Sequence, residues 1–412
     1  MSNCIIAQSG GPTAVDNATI AGIVRANQLN PIYDHVYGSL YGMEGILKED
    51  FIDCTSFSEE EIRRLRQTPG SALGTCRFRI RRINKTDFEY FIDILDRYDI
   101  ETVFFTGGND SMDTIVVLKE LAEKHHVKHH KFIGCPKTID NDLMETDHAP
   151  GYASAARFIA STALSTWLDL SAYPETRKEV FILETMGRDA GWLAASACMG
   201  KHVDILIVPE VPFDKTIFIE EVRRIIYEKS KCYVVVSEGA RFADGVYVAA
   251  GEAKSDLFGQ TVLGGAARAL ETMIVDAGAA TRCRVQVLSA AQRCHAAELS
   301  LVDYNEAFEI GMYIHGASAQ DGISGRMAAI RRKKGDVYEA EYCTVDADIA
   351  ANYVRALPVK WLKPRFTGIT EEAEKYFEPL IQGSVDLLME NGLPAYAMPY
   401  YLRDDVIRVE RK

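Results

Sequence analysis

The stretch GCPKTIDNDL, residues 134–143, brings cationic, hydroxyl and carboxylate side chains together within a few positions. It follows an apolar pair, so we expect it at the carboxyl end of a buried strand, where open α/β sheets bind ligands. Lys137 and Thr138 suit phosphate oxygens, while Asp140 and Asp142 can serve a substrate hydroxyl and a metal ion, as phosphoryl transfer requires. Aspartates in loops also form turns without any ligand, and this alternative remains open.

Two glycine pairs follow other predicted strands. Gly10 and Gly11 precede a helix predicted over residues 16–29, for which Asp16 is the expected cap. Glycines let backbone N–H groups approach an anion, and a helix N-terminus favours negative charge. A tight turn between strand and helix explains this pattern equally well.

The second pair occurs in TGGNDSMDT, residues 106–114. Asn109, Asp110 and Ser111 are expected at the mouth of the sheet, where a carboxylate can orient hydrated magnesium. The simpler explanation is a helix cap that needs no ligand.

Four arginines and one glutamate end or follow other strand-like segments. A guanidinium group binds phosphate through two parallel hydrogen bonds, and a carboxylate accepts sugar hydroxyls. The residues are Arg77, Arg188, Arg284, Arg293 and Glu238.

Composition limits the possible partners. The chain has 412 residues and a net charge of -13, which argues against a nucleic acid or an anionic membrane as the main partner. Its nine cysteines form no C-x-x-C pair, and no segment has the apolar length of a membrane span. We therefore expect a cytoplasmic protein with reduced cysteines.

Short β-branched and aromatic segments alternate with amphipathic ones along most of the chain. This alternation predicts a three-layer α/β fold with mainly parallel sheets. The segment SEEEIRRLR, from Ser58, predicts a capped surface helix. HHVKHH, residues 125–130, has imidazoles that can converge on a transition metal, but its place between a helix and a strand favours an exposed loop.

The motifs SGG, TGGNDS, PKTIDNDL, TMGRDAGW, PEVPF and SEG, in this order, resemble those of the phosphofructokinase family over about residues 3–330. The resemblance implies phosphoryl transfer to the C1 hydroxyl of fructose 6-phosphate, with Mg²⁺, in a homodimer or homotetramer. It also implies a cleft between two Rossmann-like domains. These are a phosphoryl-donor domain of residues 1–151, completed by about 293–335, and a sugar-phosphate domain of residues 152–292, with a C-terminal helical extension over 336–412.

The resemblance also implies a role for each matching residue. Asp140 resembles the base that takes the proton of the C1 hydroxyl, held in that role by geometry more than by a raised pKa, and Asp142 supports it. The residues implied to stabilise the transferring phosphoryl group are Lys137, Thr138 and Arg188. Those implied for the donor are Gly11, Arg77, Asp110 and Lys137, those for the metal are Asn109 and Asp110, and those for the sugar phosphate are Met186, Gly187, Glu238, Arg284 and Arg293.

Two positions bear on the phosphoryl donor. The ATP-dependent members have glycine where Asp110 and Lys137 stand here, and the pyrophosphate-dependent members resemble this chain at both. Lys137 adds a charge for compact pyrophosphate, and Asp110 repels a nucleotide α-phosphate. The expectation is a reversible, pyrophosphate-dependent enzyme of glycolysis and gluconeogenesis.

Other positions depart from the family pattern. Asn109 replaces the metal-binding aspartate, Glu179 stands where many members have an arginine that reaches across a subunit interface, and Ala290 and Cys294 replace residues near the sugar phosphate. These departures favour the alternative of a sugar-phosphate-sensing subunit with reduced catalysis, while an ATP-dependent phosphofructokinase is the alternative that Asp110 and Lys137 argue against.

Overall fold

The computed structural model describes residues 2–76, 85–249, 254–255, 261–262, 265–335 and 337–412. Two main sheets and two short hairpins contain the strands. The strands are β1 (Asn3–Gln8), β2 (Val36–Ser39), β3 (Phe51–Asp53), β4 (Ile100–Gly107), β5 (Lys131–Pro136), β6 (Glu179–Thr185), β7 (Ile205–Ile207), β8 (Lys231–Ser237), β9 (Lys254–Ser255), β10 (Thr261–Val262), β11 (Arg282–Val287), β12 (Arg326–Arg332), β13 (Ala340–Asp346), β14 (Met389–Glu390) and β15 (Leu393–Pro394).

The larger sheet has the strand order β13-β12-β5-β4-β1-β2-β3. Its central strands run parallel, whereas β13 and β3 pair antiparallel at the two edges. Residues 4–7 of β1 are fully buried, as expected for a strand covered by helices on both faces. The predicted strands at CIIAQ, TVFFTGG and KFIGC all belong to this sheet.

The smaller sheet has the order β11-β6-β8-β7, and every pairing in it is parallel. Residues 180, 182, 183 and 234–236 are fully buried at its centre. The two sheets and their flanking helices give the predicted α/β architecture with Rossmann-like units.

The helices cover the faces of the sheets. They are α1 (Asp16–Leu29), α2 (Met43–Lys48), α3 (Glu59–Gln67), α4 (Lys85–Arg97), α5 (Asn109–Lys124), α6 (Tyr152–Ser171), α7 (Trp192–Ser196), α8 (Lys215–Lys229), α9 (Ala266–Asp276), α10 (Ala291–Cys294), α11 (Leu301–Ala317), α12 (Ala347–Asn352) and α13 (Glu371–Leu380). Ser58 caps α3 by accepting from the backbone N–H of Glu61, as predicted.

The expected capping role of Asp16 is wrong. Asp16 is the first residue of α1, its cap position is Val15, and the Val15 side chain makes no cap hydrogen bond. The Asp16 carboxylate instead accepts from the Ser71 hydroxyl at 2.8 Å inside the protein. A buried carboxylate therefore lies close to the Gly10–Gly11 loop that precedes α1.

Helices α1 and α11 approach each other closely. A Cβ at Gly22 would lie 2.1 Å from the carbonyl oxygen of Phe308, and one at Gly311 would lie 2.2 Å from that of Thr19. Only glycine permits this backbone contact. This contact packs α11, which follows the smaller sheet in sequence, against α1 on the larger sheet.

The chain after residue 336 is more than a helical extension. It supplies β13 to the edge of the larger sheet and then α12, which packs against α5. Among the described residues, no helix is long and apolar enough to cross a bilayer.

Candidate active site

A cavity of about 410 Å³ opens where the carboxyl ends of both sheets face each other. The residues Ser9, Gly108, Lys137, Met186 and Glu238 line it, and each directly follows a strand, namely β1, β4, β5, β6 and β8. This is the position at which parallel α/β sheets bind ligands. The full lining set is Ser9, Gly10, Gly11, Pro12, Gly108, Asn109, Asp110, Ser111, Lys137, Thr138, Ile139, Asp140, Asp142, Met186, Arg188, Asp189, Ala190, Glu238, Arg293, Ala351, Asn352, Tyr353 and Val354.

Lys137 fixes the loop that follows β1. Its Nζ donates to the carbonyl oxygens of Ser9 at 2.7 Å and Gly11 at 2.6 Å. Gly10 has a φ of +81°, and a Cβ there would lie 3.6 Å from this Nζ. The ammonium therefore holds the glycine loop and places a positive charge at the wall of the cavity.

A buried carboxylate lies near this ammonium. Burial raises the pKa of Asp16, while the charge of Lys137 opposes the rise. Asp16 Oδ1 is buried without a hydrogen-bond partner among the described residues. Lys137 thus interacts with the buried carboxylate of Asp16 and also presents its positive charge to the cavity.

The first turn of α5 forms another wall. Asn109 is the first residue of this helix and Asp110 the second, and no side chain caps the turn. The N–H groups of this turn and the helix dipole favour an anion at this end. Asp110 adds a negative charge at the same end.

The surroundings of the Asn109 side chain favour an amide over a carboxylate at this position. Its Nδ2 donates to the carbonyl oxygen of Ala350 at 3.0 Å, at the end of α12, and lies 3.5 Å from that of Tyr353. An aspartate here would set a carboxylate against two carbonyl oxygens. The amide thereby ties the C-terminal part of the chain to the donor side of the cavity.

The loop after β5 presents its two carboxylates to the cavity through a tight turn at Asn141. Asn141 has a φ of +56°, and its Oδ1 accepts from the backbone N–H of Ala149 at 3.1 Å. Asparagine tolerates the left-handed conformation better than most residues. Asp140 and Asp142, on either side of this turn, therefore both line the cavity.

The two carboxylates have perturbed acidities. Burial raises the pKa of Asp140, and the charge of Arg188 opposes the rise. Burial also raises the pKa of Asp142, and the neighbouring charge of Asp140 raises it further. The sequence-based expectation placed geometry ahead of a raised pKa for Asp140, and the structure adds burial that raises this pKa, because the loop is buried more deeply than its polar sequence indicates.

The smaller sheet supplies the opposite wall with Met186, Arg188 and Glu238, and α10 supplies Arg293. Burial raises the pKa of Glu238 to about 7, and the charges of Asp140 and Glu184 contribute to the rise. Arg293 Nε is buried with no hydrogen-bond partner among the described residues. These groups can bind a polyhydroxylated anion opposite the carboxylates.

Among the described residues, two predicted site residues do not line the cavity, namely Gly187 and Arg284. Gly187, with a φ of +123°, lies between two residues that do. Arg77 lies outside the described residues. Arg284 lies on the edge strand β11, where its guanidinium pairs with Asp169 at 2.5 Å and with the buried Glu179 at 2.6 Å.

The sequence interpretation missed two parts of the site. Asp189 lines the cavity and pairs with Arg241. The segment 351–354, which comprises the last two residues of α12 and the two that follow, also lines it. The polar run after TMG was a usable signal for Asp189, but no local pattern marks residues 351–354.

The chain beyond this segment also supports the carboxylate loop. Val354 forms an antiparallel bridge with Leu143, and the backbone N–H of Arg355 donates to the carbonyl oxygen of Asp142 at 2.8 Å. The Arg355 guanidinium lies 4.2 Å from the centre of the Trp192 ring, and its Nη1 donates to the Asn141 carbonyl oxygen at 3.3 Å. Arg355 therefore orients the loop without itself lining the cavity.

The residues present suit a divalent cation. Asp140 Oδ1 and Asp142 Oδ1 are buried and have no hydrogen-bond partner among the described residues, and such oxygens are costly unless a proton or a cation meets them. Carboxylate oxygens are also the ligands that hard divalent cations prefer. The donor set thus fits such an ion.

Comparisons with known proteins give matches over most of the chain. A family model described as phosphofructokinase matches residues 3–315. A curated pyrophosphate--fructose 6-phosphate 1-phosphotransferase from Halomonas elongata is 36% identical over 404 residues, which are 96% of this chain and 95% of the relative. A curated sulfofructose kinase from Alkalicoccus urumqiensis is 32% identical and matches 93% of this chain and 95% of its own.

A solved structure is similar to this chain over its full length. The pyrophosphate-dependent phosphofructokinase of Nitrosospira multiformis superposes with a TM-score of 0.87 at 30% identity, over 100% of this chain and 98% of the other.

Proposed function

The chain belongs to the phosphofructokinase family, and we propose that it transfers a phosphoryl group reversibly from pyrophosphate to the C1 hydroxyl of fructose 6-phosphate. The products are fructose 1,6-bisphosphate and phosphate, so the enzyme serves glycolysis in one direction and gluconeogenesis in the other. The carrying observation is that Asp140 and Asp142, each with a buried oxygen that has no hydrogen-bond partner among the described residues, share one cavity with Lys137 and Arg188.

The proton transfer is assigned to Asp140. Its carboxylate accepts the proton of the C1 hydroxyl while that oxygen attacks the terminal phosphorus, and the bond to the leaving phosphate breaks. Its raised pKa brings it closer to the working pH, which favours general base catalysis. The proton can then leave with the released phosphate.

The cationic groups stabilise charge along the reaction path. Lys137 and Thr138 bind the transferring phosphoryl group from the donor side, and Arg188 does so from the opposite sheet. The Gly10–Gly11 loop and the start of α5 bind the rest of the pyrophosphate. Arg293 binds the 6-phosphate of the sugar, and Glu238, aided by the backbone at Met186 and Gly187, binds sugar hydroxyls.

We assign the divalent cation as Mg²⁺, which Asp110, Asp140 and the amide oxygen of Asn109 would hold. When bound, it neutralises charge on the phosphoryl oxygens. The hydrogen bond from the Asn109 amide to Ala350 leaves only its oxygen for such a role.

A homodimer or homotetramer in the cytoplasm is part of the proposal. The edge strand β11 exposes Val287 and gathers Arg282 and Arg284 about the buried Glu179. An open strand edge of this kind suits a subunit contact, and it is where Arg284 would reach a sugar phosphate bound to another copy. All nine cysteines are free thiols, which fits a reducing compartment.

A steady-state assay with the purified chain tests the donor and the acceptor. Fructose 6-phosphate is supplied with Mg²⁺ and either pyrophosphate or ATP, and fructose 1,6-bisphosphate is measured. The reverse reaction is followed as pyrophosphate formed from fructose 1,6-bisphosphate and phosphate. We expect turnover with pyrophosphate in both directions, whereas turnover with ATP alone would overturn the donor assignment.

Two further outcomes identify other functions. Binding of fructose 6-phosphate without turnover from either donor would indicate a sensing subunit. The similarity to a sulfofructose kinase makes sulfofructose the second acceptor to assay. A higher kcat/KM for sulfofructose would move the assignment to the sulfonated sugar.

A further inference from the structure

Three potential metal ligands meet at the opposite end of the larger sheet. Asp96 lies near the end of α4, and His129 and His130 directly precede β5. Asp96 Oδ1 lies 2.7 Å from Nε2 of His129 and 3.2 Å from Nε2 of His130. One ligand atom from each residue lies within 4.8 Å of the other two. These histidines close the HHVKHH stretch, which the sequence alone favours as an exposed loop.

The hydrogen bond on the other side of the His130 ring fixes its orientation. Nδ1 of His130 lies 2.8 Å from the carbonyl oxygen of Ile100. A carbonyl only accepts, so Nδ1 must carry the proton. The neutral ring therefore directs the lone pair of Nε2 at Asp96 Oδ1, and two acceptors face each other across 3.2 Å.

A cation between these atoms removes the conflict. The His130 side chain is only 2% exposed, so its position is fixed, while the exposed side chains of Asp96 and His129 can adjust around a cation. A backbone carbonyl on the far nitrogen is also the usual arrangement behind a metal-bound histidine.

We propose that Asp96, His129 and His130 form a binding site for a transition-metal ion of the Zn²⁺ type. Two imidazole nitrogens and one carboxylate oxygen are ligands that Zn²⁺ accepts, with water completing a four-coordinate shell. Bond lengths of about 2.0–2.2 Å would separate neighbouring ligands by roughly 3.4 Å, so the two exposed side chains, Asp96 and His129, need to shift by less than an ångström.

The position indicates what the ion does. It would join α4 to the start of β5, whose other end leads to Lys137 and the carboxylate loop. The six residues of β5 place the metal about 20 Å from the catalytic groups. The ion thus acts as a structural cross-link within the donor side of the molecule and takes no part in phosphoryl transfer.

Metal titration of the full chain tests the proposal. Zn²⁺ is titrated in excess Mg²⁺, which occupies the catalytic site, and binding is measured by calorimetry and by thermal unfolding. We expect one equivalent of Zn²⁺ to bind and, at 100 times its Kd, to raise the Tm by roughly 3 °C. Co²⁺ should give visible absorption bands typical of bound nitrogen ligands.

The variants separate this site from the rest of the loop. His129→Ala removes an exposed ligand, so folding should persist while affinity falls by about 100-fold, and Asp96→Asn should act similarly. His126→Asn is the matched control, because it alters a histidine of the same stretch outside the cluster and should leave binding unchanged. Equal Zn²⁺ affinity in His129→Ala and the unaltered chain, or no saturable binding at all, would overturn the proposal.

Discussion

The charge at Asp110 separates the two candidate phosphoryl donors. It lines the cavity in the first turn of α5, where a nucleotide α-phosphate would meet a carboxylate. Asp110→Gly should therefore raise the ratio of kcat/KM for ATP to that for pyrophosphate by roughly 10- to 100-fold, since removing such repulsion is worth about 1–3 kcal/mol. The measurement is steady-state kinetics with each donor.

The control for this change is Asp113→Gly, which alters the next acidic residue of α5 outside the cavity. An unchanged donor ratio in Asp110→Gly would show that this carboxylate does not select the donor. Lys137→Gly is a poorer single test than the sequence suggests, because Nζ also holds the carbonyls of Ser9 and Gly11. Its loss would disturb the glycine loop for both donors.

Asp140 provides the test of the proposed base. Asp140→Asn should lower kcat by roughly 100-fold or more with either donor, while the Kd for fructose 6-phosphate stays nearly constant. The Tm should not fall, because the variant replaces a buried carboxylate with a neutral amide. Kinetics, equilibrium binding and calorimetry on the same preparation separate these effects, and a kcat within a factor of about 3 of the unaltered chain would rule out Asp140 as the base.

At the scale of elements, the sequence predicted the parts that depend on local patterns. The helix predicted at residues 16–29 and the strands at CIIAQ, TVFFTGG and KFIGC occur where their hydrophobic patterns place them. The motif residues at strand ends converge because parallel strands bring their carboxyl ends to one edge. Local pattern and site geometry agree wherever one strand end determines the position.

Local sequence patterns do not predict contacts between segments that are distant in the chain. The bridge from Val354 to Leu143 and the ion pairs of Arg284 with Asp169 and Glu179 join residues more than a hundred positions apart. No periodicity records such a contact, because the partner of each side chain is set by the tertiary fold and not by its neighbours in sequence. The raised pKa values of Asp140 and Asp142 were missed for the same reason, since segments distant in sequence bury the loop that carries them.

The C-terminal support of the loop predicts an effect on catalysis from outside the cavity. Arg355→Ala should lower kcat roughly 10- to 100-fold by loosening Asp140 and Asp142, with little change in substrate Kd. The charge of Arg355 also lowers the pKa of Asp142. The acidic limb of the kcat profile should therefore move to higher pH, which a purely structural defect would not cause.

Two further variants complete this test. Arg355→Lys keeps the charge but loses the planar group over Trp192, so it should restore the pH profile more fully than kcat. Lys360→Ala, which removes an exposed ion pair with Glu372, is the neutral control. If Arg355→Ala retains full kcat and the same pH profile, the C-terminal segment does not position the carboxylates.

At the scale of the whole molecule, a buried ion pair joins the loop after β5 to α11. His148 is fully buried, and its Nε2 lies 2.6 Å from Glu306 Oε2. The other oxygen of Glu306 accepts from the Tyr338 hydroxyl at 2.6 Å, and Asp147 lies 3.9 Å from the His148 ring. The pair of His148 and Glu306 thus connects the loop after β5, helix α11 and the chain after residue 336.

This pair predicts how stability depends on pH. Burial alone lowers the pKa of His148, but Glu306 and Asp147 raise it, to about 10 overall. The folded protein therefore holds this proton after the unfolded chain has lost it near pH 6.5. The stabilisation is fully present below about pH 6.5 and is lost as pH rises through about 10.

Paired substitutions isolate this dependence. Glu306→Gln should cost about 3–5 kcal/mol at pH 7, because it leaves a buried imidazolium without its carboxylate. The double variant His148→Gln, Glu306→Gln should recover part of that loss, and its free energy of unfolding should fall less between pH 7 and pH 9.5 than that of the unaltered chain. Glu309→Gln, a change in the same helix at a carboxylate bound by Tyr342, should keep the unaltered slope. Urea unfolding at several pH values gives these slopes, and an equal slope in the double variant and the unaltered chain would mean that His148 is neutral in the fold and that the connection between loop and helix does not depend on its charge.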